Sequence, residues 1–392
     1  GQASYSRAEE IEDNALYAVF AQEIDSGSFI FDSSDAELPR ITFDAAGEAA
    51  WNDAGAYEFN EFELVDGETR DEEWSFDVNA QRELDAFGGT GIIKFGGAAR
   101  LREKGFEADV TFFEDFAGGD LFLSQFEGEL DWGLGDFGPA FNPSAVRAFF
   151  NANRGDFEIN EIDTAVDSNA ETYTAEEDVY AAYVMQSLEW GQLQAVYGVR
   201  VEDTQYDAVG NQVDIIEAGE TVGGTTFADD TVLVSETRAS QSYTDWLPSV
   251  NLRYEFSDQL VGRAAYFASI VRPNPEQAAP FVAIERAGGE VIGEAGNPDL
   301  DRAQADNFDV SLEYYPNRDS VISANVFYKR IENFIASQSF DNTEVNGVAL
   351  DELDTFVNLG AYDLLGLELN YQQALTQLPG LLSGIVIGAN YT

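Results

Sequence analysis

The sequence predicts an all-β chain that forms part of a transmembrane antiparallel up-and-down β-barrel with long loops on one side. Three observations predict it. Apolar and polar residues alternate with period two, short and long connections take turns along the chain, and aromatic residues gather near the ends of the alternating segments.

The alternation is clearest where Leu193, Ala195, Tyr197, Val199 and Val201 interleave with Gln194, Val196, Gly198, Arg200 and Glu202. Successive side chains of a strand point to opposite faces, so this segment has one apolar and one mostly polar face. Val250, Leu252, Tyr254 and Phe256 repeat the pattern, as do Phe308, Val310, Leu312 and Tyr314. So do Leu365, Leu367, Leu369 and Tyr371, and earlier Trp74, Phe76, Val78 and Ala80, then Ile93, Phe95, Gly97, Ala99 and Leu101. Charged residues sit in the middle of the polar faces. An antiparallel sandwich with one solvated face would also alternate.

The connections separate the two. Short ones are expected at Gly191-Gln192, Ser257-Asp258, Asn317-Arg318-Asp319 and Leu378-Pro379-Gly380, with a slightly longer one near 85–90. Long polar stretches lie between them, at about 24–55, 114–175, 208–241, 272–304 and 340–356. Strict alternation places the short turns at one end of the sheet and the long loops at the other, as in outer-membrane barrels. Soluble domains rarely carry so many loops beyond ~12–15 residues. Trp190, Phe256, Tyr315, Tyr328, Tyr371 and Tyr391 lie near turns, where interfacial girdles need them. The expected strands are 1–22, 57–83, 91–113, 176–189, 192–207, 243–257, 260–271, 306–316, 320–339, 354–375 and 381–392. Their odd number and strand-like ends read as a portion of a larger barrel, because an open edge in lipid leaves backbone groups unpaired.

Composition removes several classes of function. With no Cys and no His, the chain cannot build a thiolate metal site, a disulfide or a Ser-His-Asp triad by itself. A formal net charge of −53 argues against nucleic acid as a partner. The 13% aromatic and 44% hydrophobic content argues against disorder. The 73 acidic residues offer so many carboxylate pairs that no single pair marks a hydrolase.

Arg272-Pro273-Asn274, then Gly296-Asn297-Pro298-Asp299-Leu300, lead into Ala305-Asp306-Asn307-Phe308-Asp309 and Glu313-Tyr314-Tyr315. Together with Ser323–Ile331, this block resembles the C-terminal half of TonB-dependent receptor barrels, in particular the Caulobacter and Xanthomonas type. Leu247–Tyr254 and Tyr197–Thr204 resemble two earlier strands of that barrel, so the likeness covers about 176–375. The resemblance implies a 22-stranded barrel of the Gram-negative outer membrane, filled by an N-terminal plug and energised by the TonB complex. It implies uptake of a scarce nutrient, an oligosaccharide or a ferric siderophore. No plug, no TonB-contacting segment and no terminal strands are recognised in 1–392, which reads as a partial barrel domain. The expected partners are outer-membrane lipid, TonB through a segment outside this chain, and a small-molecule or oligosaccharide ligand. No cofactor, metal or catalytic residue is expected.

Trp51 with Asp53, and Trp132 with Asp131, are the candidate ligand contacts. A flat ring beside carboxylate or amide acceptors on an outer loop suits a sugar, although the same rings could simply pack a loop on the rim. Phe141-Asn142-Pro143-Ser144 reads as the start of a short helix capped by Asn142 or Ser144. The acidic stretches 32–35, 229–230 and 171–178 lack the spacing of a calcium loop, and Gly88-Gly89-Thr90-Gly91 reads as a turn. Lys94, Arg100, Arg102, Arg200, Arg253 and Arg263 fall on the polar faces, where pairing with carboxylates or a plug is expected. Two competing readings are a barrel-derived structural or interaction protein and a secreted acidic β-protein such as a glycoside hydrolase.

Overall fold

The computed structural model describes residues 1–23, 28–34, 40–129, 138–170, 172–287 and 290–392. Among these, eleven strands pair in chain order into one antiparallel sheet. They are β1 (Gln2–Ala21), β2 (Glu58–Glu83), β3 (Thr90–Phe116), β4 (Tyr173–Trp190), β5 (Leu193–Ile216) and β6 (Thr231–Ser257). Then come β7 (Leu260–Val271), β8 (Ala303–Asn317), β9 (Ser320–Glu332), β10 (Tyr362–Ala374) and β11 (Val386–Tyr391). Each expected strand has its counterpart. No described helix is long and apolar enough to cross a membrane, a statement that does not touch strands.

Register carries one apolar face across the sheet, because residues directly opposite in an antiparallel pair share a side. Tyr5 lies opposite Trp74, Trp74 opposite Leu101, Phe95 opposite Val184, and Val184 opposite Val199. Ala195 continues to Leu252, Leu252 to Ala264, Ala264 to Val310, Val310 to Val326, and Val326 to Leu367. Among the described residues nothing covers this belt: Trp246 is 68% exposed, Val310 60% and Leu365 72%. So large an apolar surface needs a non-aqueous cover. On β6 the belt runs from Trp246 to Phe256, a height of roughly 25 Å at ~3.3 Å per residue and a tilt of about 40°. That matches the apolar band of an outer-membrane barrel.

The aromatic edge of the belt has a repeated detail. Tyr180 donates to Asp178 (3.2 Å), Tyr266 to Asp306 (2.8 Å) and Tyr328 to Asp363 (2.6 Å). Each ring faces the apolar side while its hydroxyl meets a carboxylate one step further along the face, which suits a boundary between hydrocarbon and water.

Beyond that edge the strands continue and the connections are more ordered than expected. The stretch 208–241 was expected as loop, yet β5 and β6 pair from Val209 with Arg238 up to Ile216 with Thr231. Polarity no longer alternates cleanly there because neither face meets lipid. The expected strand 320–339 is two elements, β9 and a second strand, Ile335–Val345, which turns away from the wall. It forms a hairpin with Val348–Asn358 through Asn346 and Gly347, both at positive φ. Expected strand 354–375 is likewise divided before β10. The turn expected at Leu378–Gly380 is longer, with a 3-10 turn over Gly380–Gly384 ahead of β11. The connection before β3 is the turn expected for its glycines.

Candidate functional site

Two ordered bodies stand above the aromatic edge. Over β1–β3 a module is built from α1 (Ala45–Trp51), α2 (Pro143–Asn153) and α3 (Glu161–Asp167). Asn142 caps α2 as expected, accepting from the N–H groups of Ser144 and Ala145. The module's core is a cluster of rings. Phe150 packs edge-on against Phe62 (5.3 Å) and Phe113 (5.0 Å), with Phe157 and Phe126 close by. Phe62 and Phe113 lie on the same side of the sheet as Trp74, so α2 covers the continuation of the apolar face.

The second body is the connection from 272 to 302, anchored on the polar face at both ends. Arg272 donates to Glu202 (2.6 Å) and to Thr204 (3.0 Å), with Glu177 at 3.9 Å. Arg302 pairs with the buried Asp245 (2.7 Å) while its guanidinium lies 4.7 Å from the Tyr243 ring centre. Between them α4 (Pro275–Ala278) packs on Tyr173, Tyr206 and Phe106. The Tyr206 hydroxyl donates to the Pro275 carbonyl (3.1 Å). Burial pushes the Tyr173 phenol up to about 12 and raises Tyr206 as well, so both stay neutral at physiological pH.

The polar-face cations expected from sequence are mostly paired. Arg102 makes a two-pronged bridge to Asp71 (2.9 and 2.5 Å), Arg200 meets Glu202 (2.5 Å), Arg253 meets Glu255 (2.5 Å) and Arg263 meets Glu313 (2.9 Å). Arg100 approaches Glu73 at 3.9 Å, and Lys94 stands 6.0 Å over Tyr183. Higher up, Arg286 bridges to Asp214 (3.0 Å).

The structure brings two of the four candidate ligand contacts together. Trp51 ends α1 with its ring stacked on Phe43 (5.1 Å) and its carbonyl accepting from Tyr57. Asp53 is exposed beside it and accepts from the Gly55 N–H (3.0 Å). Asp131 and Trp132 lie outside the described residues, as do Asp35 and Glu171 of the acidic stretches. Asp32 accepts from Ser34 and Asp230 from Ala218, each closing its own loop. Sequence reasoning missed the carboxylates Glu202 and Asp245 as anchor points. Arg272 and the Gly296–Leu300 block were visible only as marks of resemblance, though they bound the anchored connection.

No curated protein sequence matches the chain. Among solved structures, it is similar to a double mutant of the Serratia marcescens hemophore receptor HasR in complex with its hemophore HasA and heme. Identity there is 11% and the TM-score 0.39, over 80% of this chain and 48% of that one. The unliganded ferric citrate transporter FecA gives 12%, 0.43, 85% and 40%. The alcaligin outer-membrane receptor FauA of Bordetella pertussis gives 11%, 0.39, 85% and 48%. The chain spans less than half the length of each of these three. Residues 13–392 match the family described as TonB dependent receptor-like, beta-barrel. The chain therefore belongs to that family of Gram-negative outer-membrane β-barrels.

Proposed function

We propose that this chain forms wall and mouth of a TonB-dependent transporter that captures a neutral or weakly charged nutrient, an oligosaccharide rather than a polyanionic ferric siderophore. The observation that carries this reading is the pairing of five arginines at the mouth. Arg102, Arg200, Arg272, Arg286 and Arg302 are each already paired with a carboxylate. In a chain of net charge −53, the potential at such a mouth repels a multiply charged anion. Neutral hydroxyl-rich ligands feel no such penalty and find acceptors and rings in quantity. Trp51 and Asp53, together with Asp131 and Trp132, belong to this reading as outer contacts. Energy for passage comes from the TonB complex.

The test is binding to detergent-solubilised protein at low ionic strength, read by tryptophan fluorescence and calorimetry. The probes are neutral gluco-, xylo- and manno-trisaccharides against ferric citrate and a ferric tricatecholate. At least one saccharide is expected to bind, and binding should be insensitive to salt. Binding confined to the anionic ferric complexes would overturn the proposal.

A further inference from the structure

We infer that the connections 272–302 and 333–361 are a single rigid arch, fixed to β5, whose two halves stay joined while ligand is captured and passed on. The inference rests on the transport reading above only for its last clause.

The arch is a branch of the wall's own sheet. β4 stops pairing with β5 at Thr174 and Val209, which leaves the upper edge of β5 vacant. Val282–Arg286 takes that edge, running parallel to Gln212–Ile216 over five successive positions. It forms a hairpin with Glu290–Ala295, and Ile292–Ala295 then pairs in parallel with Glu352–Thr355 of the next connection. Main-chain hydrogen bonds therefore run without a break from the wall to Ile335–Val345. Each parallel step joins residues far apart in sequence, so neither connection can leave without exposing the other's edge. Val282, Ile284, Ala295, Leu350 and Leu353 make a buried core across the two connections.

Gly296 and Asn297 hold the joint. A Cβ at Gly296 would overlap the Ala279 carbonyl oxygen at 2.1 Å, so only glycine lets the chain cross α4's end so closely. Asn297 donates from its side chain to the Phe356 carbonyl (2.8 Å) and from its N–H to Gln277 (2.8 Å). Asn358 answers by donating to the Asp301 carbonyl (2.7 Å), and its own side-chain oxygen accepts from the Asp301 N–H (2.8 Å). The Gly296–Leu300 block is thus a clasp between two connections.

The chain has no cysteine, so a disulfide can be placed cleanly. Ile292 and Glu352 are exposed neighbours in the parallel register, at a strand spacing of ~4.8 Å that a disulfide can span. The double variant Ile292→Cys with Glu352→Cys, in the full protein in whole cells with an intact TonB complex, should crosslink almost completely under mild oxidant. The oxidised protein should bind and take up the saccharide probes as the reduced protein does. Uptake that is lost on oxidation and restored by reductant would overturn the arch, because the halves would have to part. Independently of any ligand, Asn297→Ala is examined by hydrogen exchange. Segments 282–295 and 348–358 should lose protection together, and loss in one alone equally overturns it. If no saccharide binds in either redox state, the saccharide reading fails, and the arch stands or falls on the exchange result.

Discussion

The module over β1–β3 and the arch over β5 both raise ordered structure above the same aromatic edge, yet they are held in different ways. The module is held by rings: Phe62, Phe113, Phe150 and Phe157 share one buried cluster. The arch is held by strand pairing and by charge, with Arg272, Arg286 and Arg302 each locked to a strand carboxylate. The difference follows from the face each one covers. α2 lies on the continuation of the apolar face, where burying hydrocarbon is the cheap solution. The connection 272–302 lies on the polar face, where charges already line the wall and burial is tolerable only if they are paired. A mouth built this way can lose one body without the other.

That independence is open to attack. The largest effect is expected from Phe150→Ala, which removes a ring that is 1% exposed and should cost about 3–5 kcal/mol of module stability. Limited proteolysis should then cut within 117–172, while 282–295 keeps its exchange protection. Simultaneous loss in the arch would mean that the two bodies are coupled. Next comes the foundation they share. Leu252→Arg on the belt should cost roughly 2–4 kcal/mol near the bilayer midplane, and Asn251→Arg on the polar face far less. Urea titration of folded protein in lipid vesicles measures both, and equal costs would remove the membrane assignment of the faces.

A comparable but more local effect is expected from Arg272→Ala. It removes one of the two guanidinium partners of Glu202 and the cation 3.9 Å from Glu177, at a cost of about 1.5–3 kcal/mol for the lost charge-assisted bond. Exchange should quicken over 274–281, with the α2 region unchanged. Restoration by Arg272→Lys should be incomplete, because an ammonium cannot reproduce the guanidinium's simultaneous contacts with Glu202 and Thr204.

How far each body was legible in the sequence follows from the same difference. Leu252, Val310 and Leu365 betray the belt because lipid on one side and polar groups on the other force a period of two. The α2 helix was legible because Asn142-Pro143 is a local signal. The Asn346-Gly347 turn is equally local, a strong two-residue hairpin signature inside the stretch 340–356 expected as loop. The parallel pairings that join the arch had no such trace. Parallel pairing of Gln212–Ile216 with Val282–Arg286 joins segments some seventy residues apart, as the bridge from Asp214 to Arg286 does. Gly296 and Asn297 stood out only as a resemblance, since what they hold together exists only in space. Trp51 and Asp53 are neighbours by sequence alone, and their role as ligand contacts belongs to the proposal.

The smallest expected effect concerns a seam where the module meets the polar face. α3 seals the edge of β3 beyond its last pair with β4, Phe106 opposite Tyr173. Thr164 accepts from the Phe112 N–H (3.0 Å), and Ser168 accepts from the Val110 N–H (3.0 Å). That seam is crowded with carboxylates. Burial raises Glu61, and Asp163, Glu114 and Asp167 push it further. Burial raises Glu63 too, helped by Asp167, Glu61 and Glu12, and Asp167 itself rises through burial and Asp163. A carboxyl whose folded pKa lies above its unfolded value holds its proton longer when docked. Docking is therefore at its strongest below the unfolded value, near 4.3 for glutamate, and weakens as pH rises through the raised folded values. Exchange of 161–170, corrected for intrinsic rates, should thus be severalfold slower at acidic than at neutral pH, with the arch segments unaffected. Partial exposure screens each charge, which keeps the effect small. Glu61→Gln with Glu63→Gln should flatten most of the dependence. A pH response that survives the double variant would place its origin outside the seam.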